Sequence, residues 1–204
     1  MLATHDLEIR GAGELLGEGQ SGQIQEIGFS LYNEMLSKTV QALRDGLEPD
    51  DEIEMNAVTE VNLHVPALMP DDYLPDVHLR LVHYKRIASA RDMHELDQLQ
   101  VELIDRFGLL PEPTKNLFHI TGIRLRTNPL GIRRLELSAS GGFVEFSPTT
   151  MVDPGALVRL LESEPATYTL DRQQKLRIRA ELDDPEQRFK FANRLVDVLS
   201  STPE

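Results

Sequence analysis

The sequence has no cysteine and no tryptophan, and its seven phenylalanines and four tyrosines amount to 5% of 204 residues. Without cysteine there can be no disulfide, no thiolate zinc site and no cysteine nucleophile, a pattern compatible with a reducing compartment. No apolar run approaches the roughly 18 residues of a membrane span. The start of the chain also lacks the basic-then-apolar pattern of a secretory signal, so a cytoplasmic protein without membrane partners is expected. Bases are scarce beside acids, 21 against 34, and the formal net charge is −13. Most of such a surface repels phosphate backbones; it serves solubility or faces a basic partner.

Catalytic signatures are absent as well. The chain has no Walker loop, no dinucleotide fingerprint, no Gly-x-Ser-x-Gly elbow and no His-Glu-x-x-His helix. No catalytic residue and no bound cofactor is therefore expected in it. His5, His64, His78, His83, His94 and His119 are scattered. His78 and His83 come nearest to pairing, but on a helix they stand about 140° apart, so no metal site is expected. The Asp-Asp pairs at 50/51, 71/72 and 183/184 each lie near a proline at an element boundary and read as caps and solvated turns.

What the chain does have is glycine at its start. The run His5-Asp6-Leu7-Glu8-Ile9-Arg10-Gly11-Ala12-Gly13-Glu14-Leu15-Leu16-Gly17-Glu18-Gly19-Gln20-Ser21-Gly22 describes a backbone held in an irregular shape. Almost nothing precedes the run to support it, so the chain reads as cut from a larger protein. Three readings stand for the loop. It is a cap and turn before a helix; or a phosphate cradle, against which Glu8, Glu14 and Glu18 argue; or a coupling element in which Arg10 and Gln20 reach a neighbouring motor domain.

Downstream, Ile24, Ile27, Leu31, Met35, Leu36, Val40 and Leu43 recur at helical spacing. Five acids and a proline between Glu48 and Glu54 then suggest a linker. Period-two alternation over 58 to 65 predicts a strand. Cap, glycine and proline signals predict helices over about 76–90, 92–107 and 112–128. Strands over 132–138 and 143–146 flank Ser140-Gly141-Gly142 as a hairpin. Asp153-Pro154 opens a short helix to about Leu161, strands follow over 167–170 and 175–182, and Asp184-Pro185 caps a final helix. The fold class expected is α/β of the α+β type. An irregular loop and long helix precede a mixed domain, in which a three-helix segment and small antiparallel β elements pack with helices. The domain division expected is 1–48 for loop and connecting helix, 49–56 for the acidic linker and 57–204 for the C-terminal domain.

Within that domain, Glu102 and Asp105 stand three apart on one helix face, with Arg106 one turn from Glu102. They form either a surface salt bridge or a display of acids for a partner's arginines. Two basic segments offer a competing function: Arg124, Arg126, Arg133 and Arg134, then Arg172, Lys175, Arg177 and Arg179, as a nucleic-acid surface. No interleaved aromatic platform accompanies them, Tyr168 being the single nearby candidate.

The run from His5 to Glu14, continued by Gln20-Ser21-Gly22, closely resembles the TRG motif shared by the bacterial transcription-repair coupling factors and the RecG fork-remodelling helicases. Tyr73-Leu74-Pro75, Arg80-Leu81, Tyr84-Lys85-Arg86 and Glu102-Leu103-Ile104-Asp105-Arg106-Phe107-Gly108 with Leu110-Pro111 resemble the C-terminal domain of the coupling-factor family alone. The resemblance covers nearly the whole chain. A RecG-like fork-remodelling role is a further alternative, disfavoured by the long segment that follows the motif.

The resemblance implies that the chain is the regulatory C-terminal part of an ATP-dependent double-stranded DNA translocase. That parent, using ATP and magnesium in its motor, displaces stalled RNA polymerase and recruits excision repair. Arg10 and Gln20, with Gly11 and Gly13, would couple hydrolysis to movement. Glu102, Asp105 and Arg106 would belong to the contact with a UvrB-like N-terminal domain of the same protein, an autoinhibitory docking that masks UvrA binding.

Overall fold

A computed structural model describes residues 59–201. Arg10, Gly11, Gly13 and Gln20, the helix expected over Ile24 to Leu43 and the acidic linker lie outside the described residues.

Aspartates start four of the five described helices. Asp76 caps α1 (Val77–Ala88) by accepting from the Leu79 amide, and Asp92 caps α2 (Met93–Phe107) by accepting from Glu95. Asp153 does the same for α4 (Pro154–Ser163) and Asp184 for α5 (Pro185–Ser200), each with proline as the first helical residue. Proline fits there because its missing N–H has no helical partner to lose. In α3 (Glu112–Thr127) the N-cap is Pro111, with no side-chain cap. Gly108 ends α2 at φ +90°, where a side chain would be strained.

Five short strands form one sheet in the order β1-β2-β3-β5-β4: β1 (Glu60–Asn62), β2 (Ile132–Ser138), β3 (Gly141–Phe146), β4 (Tyr168–Leu170) and β5 (Leu176–Ile178). The two hairpins expected from the sequence are thus joined through β3 and β5, which pair antiparallel. The N-terminal strand runs parallel to β2, making the sheet mixed. Strand β1 is shorter than its alternation suggests. The Asn62 side chain accepts the His64 amide at 2.9 Å and His64 turns to φ +50°, which ends the ladder before Pro66.

The hairpin glycines work in the strand and not in the turn. The turn is Ala139-Ser140, and Gly141 and Gly142 already belong to β3. A Cβ on Gly142 would lie 1.8 Å from the Glu136 carbonyl oxygen, and one on Gly141 would lie 2.2 Å from that of Ile178. These residues are glycine because neighbouring strands come too close for any side chain.

Alternation then sorts the sheet's faces. Leu135, Leu137, Val144, Leu176 and Ile178 are buried, and α3, α4 and α5 pack against the sheet. The alternate positions, Arg134, Glu136, Phe143, Glu145 and Arg177, form a polar face. Arg188 of α5, itself buried, ties the layers together: Nη1 donates to the carbonyls of Leu63 (3.2 Å) and His64 (2.8 Å), Nε to Leu182 (2.7 Å) and Nη2 to Asp183 (3.0 Å).

Candidate functional site

Helix α2 buries Leu96, Leu99 and Leu103, a stripe at helical spacing that fixes the rotation of the helix. That rotation sets Glu102 at the margin facing α1, and Asp105 and Arg106 outward. The Glu102 carboxylate receives both terminal nitrogens of Arg86 on α1, at 2.8 and 2.7 Å, and Nη1 of Arg106 at 3.2 Å. The fork of two parallel N–H···O bonds makes the first contact directional as well as charged. Glu102 is held down to about 2, first by the Arg86 hydrogen bonds, and the same bonds raise Arg86 above its ordinary value.

An aromatic cluster supports this charged group from below. The Phe107 ring meets Tyr73 edge-on at 6.3 Å and His83 at 5.9 Å, and the Arg106 guanidinium lies 5.2 Å from its centroid. Tyr73 donates its hydroxyl hydrogen toward the carbonyls of Gly108 (3.1 Å) and Leu103 (3.3 Å), anchoring the end of α2. His83 is buried, and burial pushes its imidazole below the ordinary value, reinforced by Arg86 and opposed by Glu102.

The three residues singled out in sequence therefore part company. Glu102 and Arg106 are joined, and Glu102 serves as the post that positions two arginines. Asp105 is exposed and has no hydrogen-bonded or ionic partner among the described residues. Two large apolar side chains accompany it near the C-terminal end of α2, Val101 at 58% and Leu109 at 86% exposure. Arg86, Tyr73 and His83 are the members that residue spacing did not connect to this site. The only sequence signal for Arg86 and Tyr73 was their place in family-like segments, because contact across two helices leaves no local periodicity.

The basic segments converge in part, and the cations that converge are paired with acids; Arg172 and Arg179 are exposed and make no ion pair among the described residues. On the polar face of the sheet Arg134, Lys175 and Arg177 surround the Phe143 ring at 5.7, 5.2 and 5.4 Å. Yet Arg134 pairs with Glu136 (3.0 Å) and Glu60 (3.5 Å), Lys175 with Glu145 (2.9 Å) and Arg177 with Asp171 (2.8 Å). Arg126 is bound by Asn193 and Asp197, and Arg124 donates to the Ala88 carbonyl at 2.8 Å. Tyr168 is buried and offers no stacking surface. Among the described residues no three His, Asp or Glu side chains come together as a metal site, and no helix is long and apolar enough to cross a membrane.

Residues 63–157 match the TRCF domain family. The chain is 52% identical over 199 residues to the transcription-repair-coupling factor of Haemophilus influenzae and 49% identical over 198 residues to that of Escherichia coli. These alignments take in 98% and 97% of the chain but only 17% of either relative, so the chain spans about a sixth of their length. A more distant relative, the transcription-repair-coupling factor of Myxococcus xanthus, is 39% identical over 179 residues, 88% of this chain and 14% of that protein. Among solved structures, the C-terminal domain of transcription-repair coupling factor superposes with a TM-score of 0.58 at 21% identity, covering 72% of this chain and 97% of that one. The fold is shared.

Proposed function

As this chain belongs to the transcription-repair-coupling factor family, we propose that it is a non-catalytic regulatory part of a larger cytoplasmic translocase that acts on double-stranded DNA, displaces stalled RNA polymerase and recruits excision repair. In this reading residues 57–204 form the regulatory domain and 49–56 a linker. Residues 1–48 belong to the motor region, where Arg10, Gly11, Gly13 and Gln20 couple hydrolysis to translocation. ATP and magnesium belong to the parent's motor.

The regulatory domain docks on the UvrB-like domain of the same protein through the charged end of α2 and so masks UvrA binding. The observation that supports this is the division of labour on α2. Glu102 holds Arg86 and Arg106 in fixed positions, while Asp105 stands exposed without a partner among the described residues. A surface of this kind presents both signs of charge in a set pattern, selecting one complementary face and weakening with salt, as a releasable clamp requires.

Titration of the isolated UvrB-like domain with this chain tests the reading. Asp105→Ala should weaken binding directly. Glu102→Ala should weaken it by releasing the two arginines. If neither variant changes the affinity, this face is not the docking surface. DNA-stimulated ATPase activity of the chain alone would contradict the non-catalytic assignment.

A further inference from the structure

A second concave surface lies away from the Arg86–Glu102 pair, on the other flank of α2. Helix α3 packs against both α2 and α5, and the two neighbours stand as walls over it, leaving a groove of about 930 Å³. Its floor and sides are Met93, Leu96, His119, Gly122 and Phe189. Gly122 keeps the floor low: a Cβ there would already meet the Met93 methyl at 3.3 Å. Met93 itself is 43% exposed, and His119 is exposed with its ring edge-on to Phe189 at 5.2 Å. A flexible thioether beside a ring and a glycine is an adaptable apolar seat.

The rim is acidic. Glu112 and Asp184 mark the starts of α3 and α5, with Glu186 in the first turn of α5, and Asp97 projects from the second turn of α2. Capping and the helix dipole account for the acids at the helix starts. They do not account for Asp97, which is exposed and without a hydrogen-bonded or ionic partner among the described residues. Two of the rim acids are already paired with lysines, Glu186 with Lys190 at 2.7 Å and Glu112 with Lys115 at 3.1 Å, and Arg126 is held by Asp197. The rim charge without an ion-pair partner among the described residues is therefore that of Asp97 and Asp184.

From this geometry we propose that the groove between α2, α3 and α5 receives a helix of a partner protein that carries an apolar stripe flanked by lysine or arginine. Two helical walls over a helical floor match an amphipathic helix laid lengthwise, and the rim charge selects a basic one. The proposal stands apart from the docking of the Asp105 face and does not depend on it.

The test uses the whole chain, isotopically labelled, titrated with a synthetic helical peptide. The peptide has leucines at positions i, i+3, i+4 and i+7 between flanking lysines, and a second peptide replaces each lysine by glutamate. The lysine peptide should shift the amide resonances of Asp97, His119, Gly122 and Lys190 and bind about tenfold more tightly than the glutamate peptide. The double variant D97K/E186K, checked for an unchanged melting profile, should remove that preference. Equal binding of both peptides would overturn the proposal, as would resonance shifts confined to the Arg86–Glu102 face. Self-association of the chain through the groove, with peptide excluded, would assign the seat to a second copy and overturn it equally.

Discussion

Arg86 and Glu102, on different helices, form a two-pronged ion pair at 2.8 and 2.7 Å, and Arg106 closes on the same carboxylate from one turn along α2. The pair is partly exposed, so its stabilisation is screened; a double-mutant cycle with Arg86→Ala and Glu102→Ala should give a coupling of about 0.5–1 kcal/mol. The sign of its pH dependence follows from Glu102, whose folded value is lowered from 4.5 to about 2. A depressed carboxylate stabilises fully above its unfolded value and loses that contribution as pH falls through the folded one. The stability gap between the parent chain and Glu102→Gln, read from urea midpoints, should therefore be constant from neutral pH to about 5 and shrink between about 4.5 and 2.

Arg188 makes a different kind of electrostatic contact. It is 8% exposed and is satisfied by four backbone carbonyls, with no acid beside it in an ion pair among the described residues. Its replacement strands the carbonyls of Leu63, His64, Leu182 and Asp183 together. Arg188→Met, which preserves much of the stem's packing, should cost about 2–4 kcal/mol in chemical denaturation. A loss under about 0.5 kcal/mol would mean that water replaces the guanidinium without penalty.

Two glycines distinguish lack of space from backbone strain. Gly108 has φ +90° with ψ −170° and nothing within 4 Å of its missing Cβ, so Gly108→Ala should cost only the strain of a backbone region used almost exclusively by glycine, about 1–3 kcal/mol. At Gly142 the Cβ would lie 1.8 Å from a strand carbonyl, and the ladder itself would have to open. Gly142→Ala should cost more than about 3 kcal/mol, or prevent folding. Thermal melts of the two variants side by side would give the order.

The local part of this structure was legible in the residues. Asp153-Pro154 and Asp184-Pro185 signalled two helix starts through chemistry confined to one turn, and both aspartates cap; Asp76 and Asp92 cap the helices expected from about 76 and 92. The union of two hairpins into one mixed sheet was not legible, because the β3–β5 pairing, with Gly142 opposite Ile178 and Gly141 close against the Ile178 carbonyl, joins residues far apart in sequence. The candidate site divides the same way. The Glu102–Arg106 contact is a helical spacing and could be read directly. Arg86 reaches Glu102 only because buried Leu103 and His83 set the rotation of their helices, a consequence of packing that no local pattern carries.

The polar face of the sheet yields the last prediction. Arg134, Lys175 and Arg177 surround Phe143, an arrangement suited to stacking on a base, but Glu60, Glu136, Glu145 and Asp171 pair with these cations. Lys175 holds Glu145 below the usual carboxylate range, so this carboxylate stays charged near neutrality and offsets the lysine. A nucleic acid approaching the face would have to displace paired charges against an overall −13. The chain should therefore fail to retard single- or double-stranded DNA at about 0.15 M salt. A triple variant, Glu60→Gln with Glu136→Gln and Glu145→Gln, uncovers Arg133, Arg134 and Lys175, while Arg177 keeps Asp171 and the buried side of the sheet is untouched. It should bind single strands at low salt, with an affinity that falls steeply, by roughly two to three ion equivalents, as salt rises. Retardation by the unaltered chain at about 0.15 M salt would show that the acids do not silence this face, and would favour a nucleic-acid role for it.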